Sequence, residues 1–228
     1  MKYEAVIFDL FGTLVNVFSR QEYEKAVEEM ASILGAPHDE FTRLWLDTAK
    51  RRVNGFFQTL EENIEYICRG LKVNIADTQL QLAKQVRFNF VAHSLKPRED
   101  ALEVLERLKS KGYKTGLISN CSTETPVIWP DTLFAPLFDV AVFSSSVGLQ
   151  KPDPRIYQLA IERLRVKPEN CLYIGDGDDQ ELSGASQIGM YPVLICDPDK
   201  SVDAYYFDRE EWGGPKISSL REILTLLE

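Results

Sequence analysis

The apolar run from Tyr3 to Phe8, closed by Asp9 and broken at Gly12, is cut off from every other strand-like run by a long stretch of helical pattern. A short, continuous apolar run reads as a strand buried on both faces, which is the mark of a parallel sheet. Such a strand needs neighbours, and the chain supplies them only after Pro97. Whatever lies between must therefore be an insert into the sheet's connectivity.

The insert is helical from Ser19 to about Phe90. Tyr23, Val27, Met30 and Leu34 recur at i, i+4, i+7 and i+11, and Gly35 stops that helix. Phe41, Leu44, Trp45 and Thr48 predict a second helix. Leu60, Ile64, Ile67 and Leu71 predict a third, opened by the capping box Thr59-x-x-Glu62. Leu80, Ala83, Val86 and Phe90 predict a fourth. Four amphipathic helices with short connections can close a bundle of their own.

Beyond Pro97 helix and strand alternate. A helix on Ala101, Val104, Leu105 and Leu108 precedes strands at Thr115–Ser119 and Val140–Ser144. A helix from Pro154 to Arg165, the strand Cys171–Ile174, a shorter helix near Leu182–Ile188 and the strand Pro192–Ile195 follow. The last helix carries Leu220, Ile223, Leu224 and Leu227, with a capping box at Ser219-x-x-Glu222. This alternation predicts an α/β fold, a doubly wound, Rossmann-like parallel sheet with an inserted helical-bundle cap. The expected division is residues 1–15 and 95–228 for the α/β core and 16–94 for the cap. The segment 197–215, aromatic and acidic, offers no reading.

Composition narrows the partners. With 26 Lys+Arg against 35 Asp+Glu the net charge is −9, which argues against a nucleic-acid surface, since polyanions are bound by neutralising their phosphates. The same balance leaves room for a small anionic ligand held through a metal ion. No run reaches the roughly 18 apolar residues of a membrane helix, and no signal peptide precedes the first strand. The four cysteines, Cys68, Cys121, Cys171 and Cys196, have no CxxC or zinc spacing and fit a reducing compartment. A cytoplasmic monomer or homodimer is the expectation.

In an open α/β sheet, ligands bind beyond the carboxyl ends of the strands. The exits here carry Asp9-Leu10-Phe11-Gly12-Thr13, then Ser119-Asn120, then Lys151, then Gly175-Asp176-Gly177-Asp178-Asp179-Gln180-Glu181. Each alone has an ordinary explanation: a turn-forming Asp, a polar turn, a surface lysine, a solvated acidic loop. All four at strand ends point to displacement at an electrophilic centre by a carboxylate. An Asp can attack a phosphoryl group to form an aspartyl-phosphate. Because the two reactants repel, a divalent cation between Asp9 and Asp176 suits the chemistry, and their oxygens suit Mg²⁺. Ser119 and backbone N–H groups can bind phosphoryl oxygens, and Lys151 supplies positive charge.

This constellation resembles the haloacid dehalogenase-like hydrolase superfamily over nearly the whole chain. Asp9-Leu10-Phe11-Gly12-Thr13 is similar to its first motif, Leu117-Ile118-Ser119-Asn120 to its second, and Lys151-Pro152-Asp153-Pro154 to its third. Gly175-Asp176 through Glu181-x-x-Gly184-Ala185 is similar to its fourth. The helical insert resembles the C1-type cap, which closes over the site and helps to select substrate. The resemblance implies Asp9 as nucleophile, with Ser119 and Lys151 also catalytic. It implies Mg²⁺ on Asp9, the main-chain carbonyl of Phe11 and Asp176. Glu181 would act through water or by orienting Lys151 or another ligand. Gly12, Thr13 and Asn120 would line the phosphate site, and Asp178 and Asp179 are expected to face solvent.

One position departs from the phosphatase pattern. Phosphatases of this superfamily usually carry a second Asp two residues after the nucleophile, a proton donor of the kind worth about 10²–10⁴-fold. Here that position is Phe11. An aromatic residue there resembles the 2-haloacid dehalogenase branch, whose halide leaves without a proton but which usually lacks the metal-binding Asp. Asp176 is present, and it carries more weight: a second carboxylate beside Asp9 with no cation is electrostatically costly. The expectation is Mg²⁺-dependent hydrolysis of a small phosphorylated metabolite. The alternatives are a 2-haloacid dehalogenase and a catalytically weak ligand-binding member.

In the cap, Arg51-Arg52-Val53-Asn54-Gly55-Phe56-Phe57 joins charge, amide and aromatics around a glycine. Arg52 is a candidate substrate contact, against an equal case for a solvated helix end. Tyr23 and Trp45 sit at core spacing. His38 and His93 have no catalytic or metal arrangement, and Cys121 reads as packing rather than a nucleophile.

Overall fold

The computed structural model describes residues 3–196 and 210–227. The part of segment 197–215 from 197 to 209 lies outside them. In chain order the elements are β1 (Ala5–Phe8), α1 (Arg20–Leu34), α2 (His38–Asp47), α3 (Ala49–Val53), α4 (Leu60–Gly70), α5 (Asp77–Ser94) and α6 (Ala101–Ser110). There follow β2 (Lys114–Ser119), α7 (Glu124–Ile128), β3 (Val140–Phe143), α8 (Ser144–Val147), α9 (Pro154–Leu164) and β4 (Cys171–Gly175). The chain closes with α10 (Glu181–Gln187), β5 (Tyr191–Ile195), β6 (Lys216–Ile217) and α11 (Glu222–Leu226).

The strands form a parallel sheet in the order β3-β2-β1-β4-β5-β6, the doubly wound α/β arrangement expected from the alternation. The chain runs from β1 outward through β2 to β3, then crosses back and builds β4, β5 and β6 on the other side. The order reverses between β1 and β4, and the crevice of such a sheet opens beyond the carboxyl ends of those two strands. Asp9 directly follows β1, and Asp176 directly follows β4.

Every residue of β1 is fully buried, and its alternation divides the two sides of the core. Val6 and Phe8 pack with the α6 residues Val104, Leu105 and Leu108 and with α11. Ala5 and Ile7 pack with the α9 residues Ile156, Tyr157 and Ala160 and with α10. Side chains alternate across a strand, so a strand covered by helices on both faces must be apolar throughout.

Helices α1, α2, α4 and α5 build a third core around Tyr23, Val27, Met30, Phe41, Trp45 and Ile64. Ser19 caps α1 by accepting from Glu22 N at 3.0 Å, and Gly35 ends it at φ +66°. The Tyr23 hydroxyl accepts from Trp45 Nε1 at 2.8 Å, joining α1 to α2. Among the described residues no helix is long and apolar enough to cross a membrane.

Three local expectations differ. The second helix stops at Asp47, and Thr48 turns its hydroxyl back onto Leu44 O at 2.8 Å before the separate α3 begins. The box at Ser219 forms by half: Glu222 Oε1 accepts from Ser219 N at 3.0 Å, but the Ser219 hydroxyl donates to Asp100 instead. In α5 the buried stripe is Leu80, Ala83, Arg87 and Val91, while Val86 and Phe90 are half-buried. An arginine thus occupies a core position, and β6 is too short to show any periodicity.

Candidate active site

The loops leaving β1 and β4 meet at the switch point. Asp9 N donates to Ile174 O at 2.9 Å, which fixes the first carboxylate beside β4. Gly12, at φ +85°, bends the β1 loop so that a Cβ there would stand 2.3 Å from Asp176 Oδ2. No other L-residue offers both that dihedral and that absence of side chain. Gly175, in ordinary strand conformation, is required by close approach alone, since a Cβ would lie 2.1 Å from Glu181 Oε1.

Lys151 lies between two carboxylates, with Nζ 2.5 Å from Asp9 Oδ1 and 2.5 Å from Glu181 Oε2. All three residues are buried. Glu181 Oε2 also accepts from the Tyr173 hydroxyl at 2.8 Å, and its Oε1 accepts from Gly177 N at 3.1 Å. Both Glu181 oxygens are therefore engaged in holding Lys151 and the β4 loop. Oxygen atoms of Asp9, Asp176 and Glu181 lie within 4.8 Å of one another. With Glu181 so committed, Asp9 and Asp176 are the carboxylates placed to take a cation.

Burial pushes the Asp9 carboxyl up to about 6, against the attraction of Lys151 and with Asp176 adding repulsion. Burial likewise pushes Glu181 upward. Burial alone would lower Lys151, but the charges of Asp9 and Glu181 outweigh it and keep the ammonium protonated.

The second strand exit gives Ser119, fully buried at the end of β2. Apart from the Cys121 thiol, a weak partner, its Oγ meets no hydrogen-bonding group among the described residues. Thr13 Oγ1, in the β1 loop, is buried and unpartnered in the same sense. Two orphaned hydroxyls in strand-exit loops fit a site awaiting acceptor oxygens. Asn120, beside Ser119, also bonds neighbouring loops. Its Oδ1 accepts from Lys151 N at 2.9 Å, and its Nδ2 donates to Lys151 O at 3.1 Å and Asp179 Oδ2 at 2.7 Å. It ties three loops together, and Asp179, read from the sequence as solvent-facing, is one of the tied groups. Burial pushes the Cys121 thiol up to about 12, so no thiolate nucleophile is available there.

A cavity of ≈ 490 Å³ opens between this edge and the helical block. Phe11, Asn120 and Asp176 line it from the sheet side, and Tyr23, Arg52 and Arg87 from the helical side. The Phe11 ring meets Phe18 edge-on at 6.1 Å. Arg52 is not a solvated helix end: it is 5% exposed, lies 4.1 Å over the Trp45 ring and donates to Trp45 O at 2.6 Å. Its neighbour Arg51 points outward and bonds the Tyr66 hydroxyl.

Arg87 and Glu124 escape a reading by motif. Arg87 Nε donates to Glu124 Oε1 at 2.6 Å, a buried pair joining α5 to α7. The available signal was a charge at core spacing, seven residues after Leu80 on the same helical face.

A family model described as haloacid dehalogenase-like hydrolase matches residues 3–189. An (S)-2-haloacid dehalogenase of Pseudomonas putida is 29% identical over 202 residues, spanning 83% of this chain and 82% of that protein. A phosphatase of Mycobacterium tuberculosis is 27% identical over 219 residues, spanning 93% and 96%. Among solved structures, a 2-haloacid dehalogenase from Pseudomonas syringae pv. tomato matches with a TM-score of 0.73 at 21% identity, covering 99% of this chain and 98% of that one. That last likeness is one of fold.

Proposed function

The chain belongs to the haloacid dehalogenase-like hydrolases, and on that premise we propose that it hydrolyses a small phosphorylated metabolite, with Mg²⁺ and with Asp9 as nucleophile. The convergence of carboxylates at the switch point carries this reading. Three buried carboxylates, Asp9, Asp176 and Glu181, bring oxygens within 4.8 Å of one another, and Lys151 bonds two of them. Carboxylates this close repel one another, and a divalent cation shared between Asp9 and Asp176 offsets that repulsion.

Asp9, Asp176 and the main-chain carbonyl of Phe11 would hold Mg²⁺, whose charge, when bound, offsets the repulsion between Asp9 and the phosphoryl oxygens. The chain's own groups do the rest. Lys151 orients Asp9, and Glu181 with Tyr173 orients Lys151. An Asp9 oxygen attacks phosphorus while the bond to the leaving oxygen breaks, giving an aspartyl-phosphate and a leaving-group anion that takes up a proton from solvent water. Water then cleaves that acyl phosphate, returning Asp9 and releasing inorganic phosphate. The hydroxyls of Ser119 and Thr13 are suited to donate to the phosphoryl oxygens. Phe11 transfers no proton, so the reading favours esters with good leaving groups. Residues 16–94 act in it as the cap. The four free thiols suit a reducing, cytoplasmic setting.

A second reading, 2-haloacid dehalogenation, is favoured by Phe11 itself, because a departing halide needs no proton. Purified protein is assayed on p-nitrophenyl phosphate and on (S)-2-chloropropionate, each with MgCl₂ and with EDTA. Phosphate release that needs Mg²⁺ and disappears in Asp9→Asn is the expected result. Chloride release unaffected by EDTA would replace the first reading with the second.

A further inference from the structure

The helical side of the cavity holds two guanidinium groups, one of them paired with a carboxylate of α7. Arg52 and Arg87 share the Trp45 ring, at 4.1 Å and 5.5 Å from its centroid, and both line the cavity. Glu124 pairs with Arg87 Nε, so among the described residues the buried charge of these three groups is 2 − 1 = +1. Arg87 is 6% exposed, and its Nη1 has no hydrogen-bond partner among the described residues. Arg52 Nη1 is engaged with Trp45 O, Thr48 Oγ1 and Asn63 Oδ1, whereas its Nη2 makes one long contact, 3.4 Å, to the Tyr23 hydroxyl. A buried donor left unmatched calls for an acceptor.

We infer that Arg87, with Arg52 beside it, binds a carboxylate on the helical side of the cavity, so that the substrate is an acid-bearing phosphate ester rather than a neutral one. A single net positive charge matches a monoanionic carboxylate better than a second phosphoryl dianion. A guanidinium fork also fits the planar carboxylate geometry. Phe11, Phe18 and Phe90, in edge-to-face contact at 6.1 Å and 5.4 Å, wall the space with apolar surface. The cavity is thus acidic at Asp176, apolar along one wall and basic at Arg87, a polarity that orients a ligand carrying two different anionic groups. The inference rests on the phosphatase reading for the identity of the other group but not for the carboxylate.

The test compares kcat/KM for 3-phosphoglycerate with that for glycerol 3-phosphate, esters that differ by a carboxylate against a hydroxymethyl group. Wild type is expected to prefer the acid at least tenfold, and Arg87→Gln combined with Glu124→Gln to bring the ratio near one. The ratio is insensitive to a general loss of activity, which would lower both rates together. No preference in the wild type, or a preference unchanged in the double variant, overturns the inference. Should the double variant fail to fold by circular dichroism, Arg87→Lys keeps the charge facing Glu124 but removes the second donor, and is expected to lower the ratio at least threefold. If neither ester, each with a poor leaving group, is hydrolysed, succinate decides the carboxylate site, while the phosphatase reading stands or falls on p-nitrophenyl phosphate. A rise in Tm with succinate over sodium chloride of equal ionic strength, lost in the variant, keeps the carboxylate site. An equal rise in both proteins, or none, removes it.

Discussion

A Cβ at Gly12 would stand 2.3 Å from Oδ2 of Asp176, so the loops leaving β1 and β4 are fitted to each other without room for one more carbon. The contact is made by residues 164 positions apart (176 − 12), and it sets how closely Asp176 approaches Asp9.

Gly12→Ala is therefore expected to damage the site more than the fold. The positive φ and the clash together cost about 1–3 kcal/mol of stability. Displacing a carboxylate by about 1 Å can cost on the order of 10²-fold in rate. Thermal melts beside steady-state kinetics check this; a variant with lower Tm and full kcat would contradict it.

Glu181 accepts from Lys151, Tyr173 and Gly177, and so acts on Asp9 through the lysine. Glu181→Gln keeps the shape and removes the charge. Outer groups of this kind typically change activity by about 10–100-fold. The loss should fall on kcat, with KM nearly unchanged, and an effect confined to KM would count against the positioning role.

Asp176 has opposite consequences with and without the cation. In EDTA, Asp176→Asn relieves repulsion against Asp9 and Glu181 and should melt above wild type. In saturating Mg²⁺ the order reverses, since a ligand at 100 times its Kd stabilises the binding protein by about 2.7 kcal/mol. Differential scanning calorimetry at both conditions reads the crossing. The same order in both would remove the charge argument for Mg²⁺.

The Arg87–Glu124 pair predicts a pH dependence. Burial pushes the Glu124 carboxyl upward, yet the Arg87 charge and hydrogen bond hold it below the ordinary 4.5. A carboxyl depressed in the folded state contributes stability above its unfolded value and loses it as pH falls through the folded one. Breaking a buried pair from one side costs roughly 3–5 kcal/mol. Wild type should therefore exceed Glu124→Gln by that order at pH 7, with the gap narrowing as pH falls below the ordinary 4.5. Urea melts across that range measure it, and a gap independent of pH would refute the assignment.

Much of this molecule was legible in one dimension. The apolar runs ending in Asp9, Ser119 and Asp176 announced parallel strands and their exits, because a strand covered on both faces must be apolar and a sheet's ligands lie at its carboxyl ends. Helical periodicity marked α1 and α4 as well, where Gly35 and Thr59 supply local punctuation. These features depend on neighbours within a few residues, which a sequence displays directly.

The remainder is set by groups far apart in the chain. Asn120 binds the backbone of Lys151 and the side chain of Asp179, and Arg52 stacks on Trp45. The pairing of Arg87 with Glu124 arises from packing α5 against α7, and no spacing rule connects them. A sequence lists which charges exist. Whether a charge is matched, shared or left over depends on which partners burial brings within about 3 Å, and that is decided when the helical block closes on the sheet.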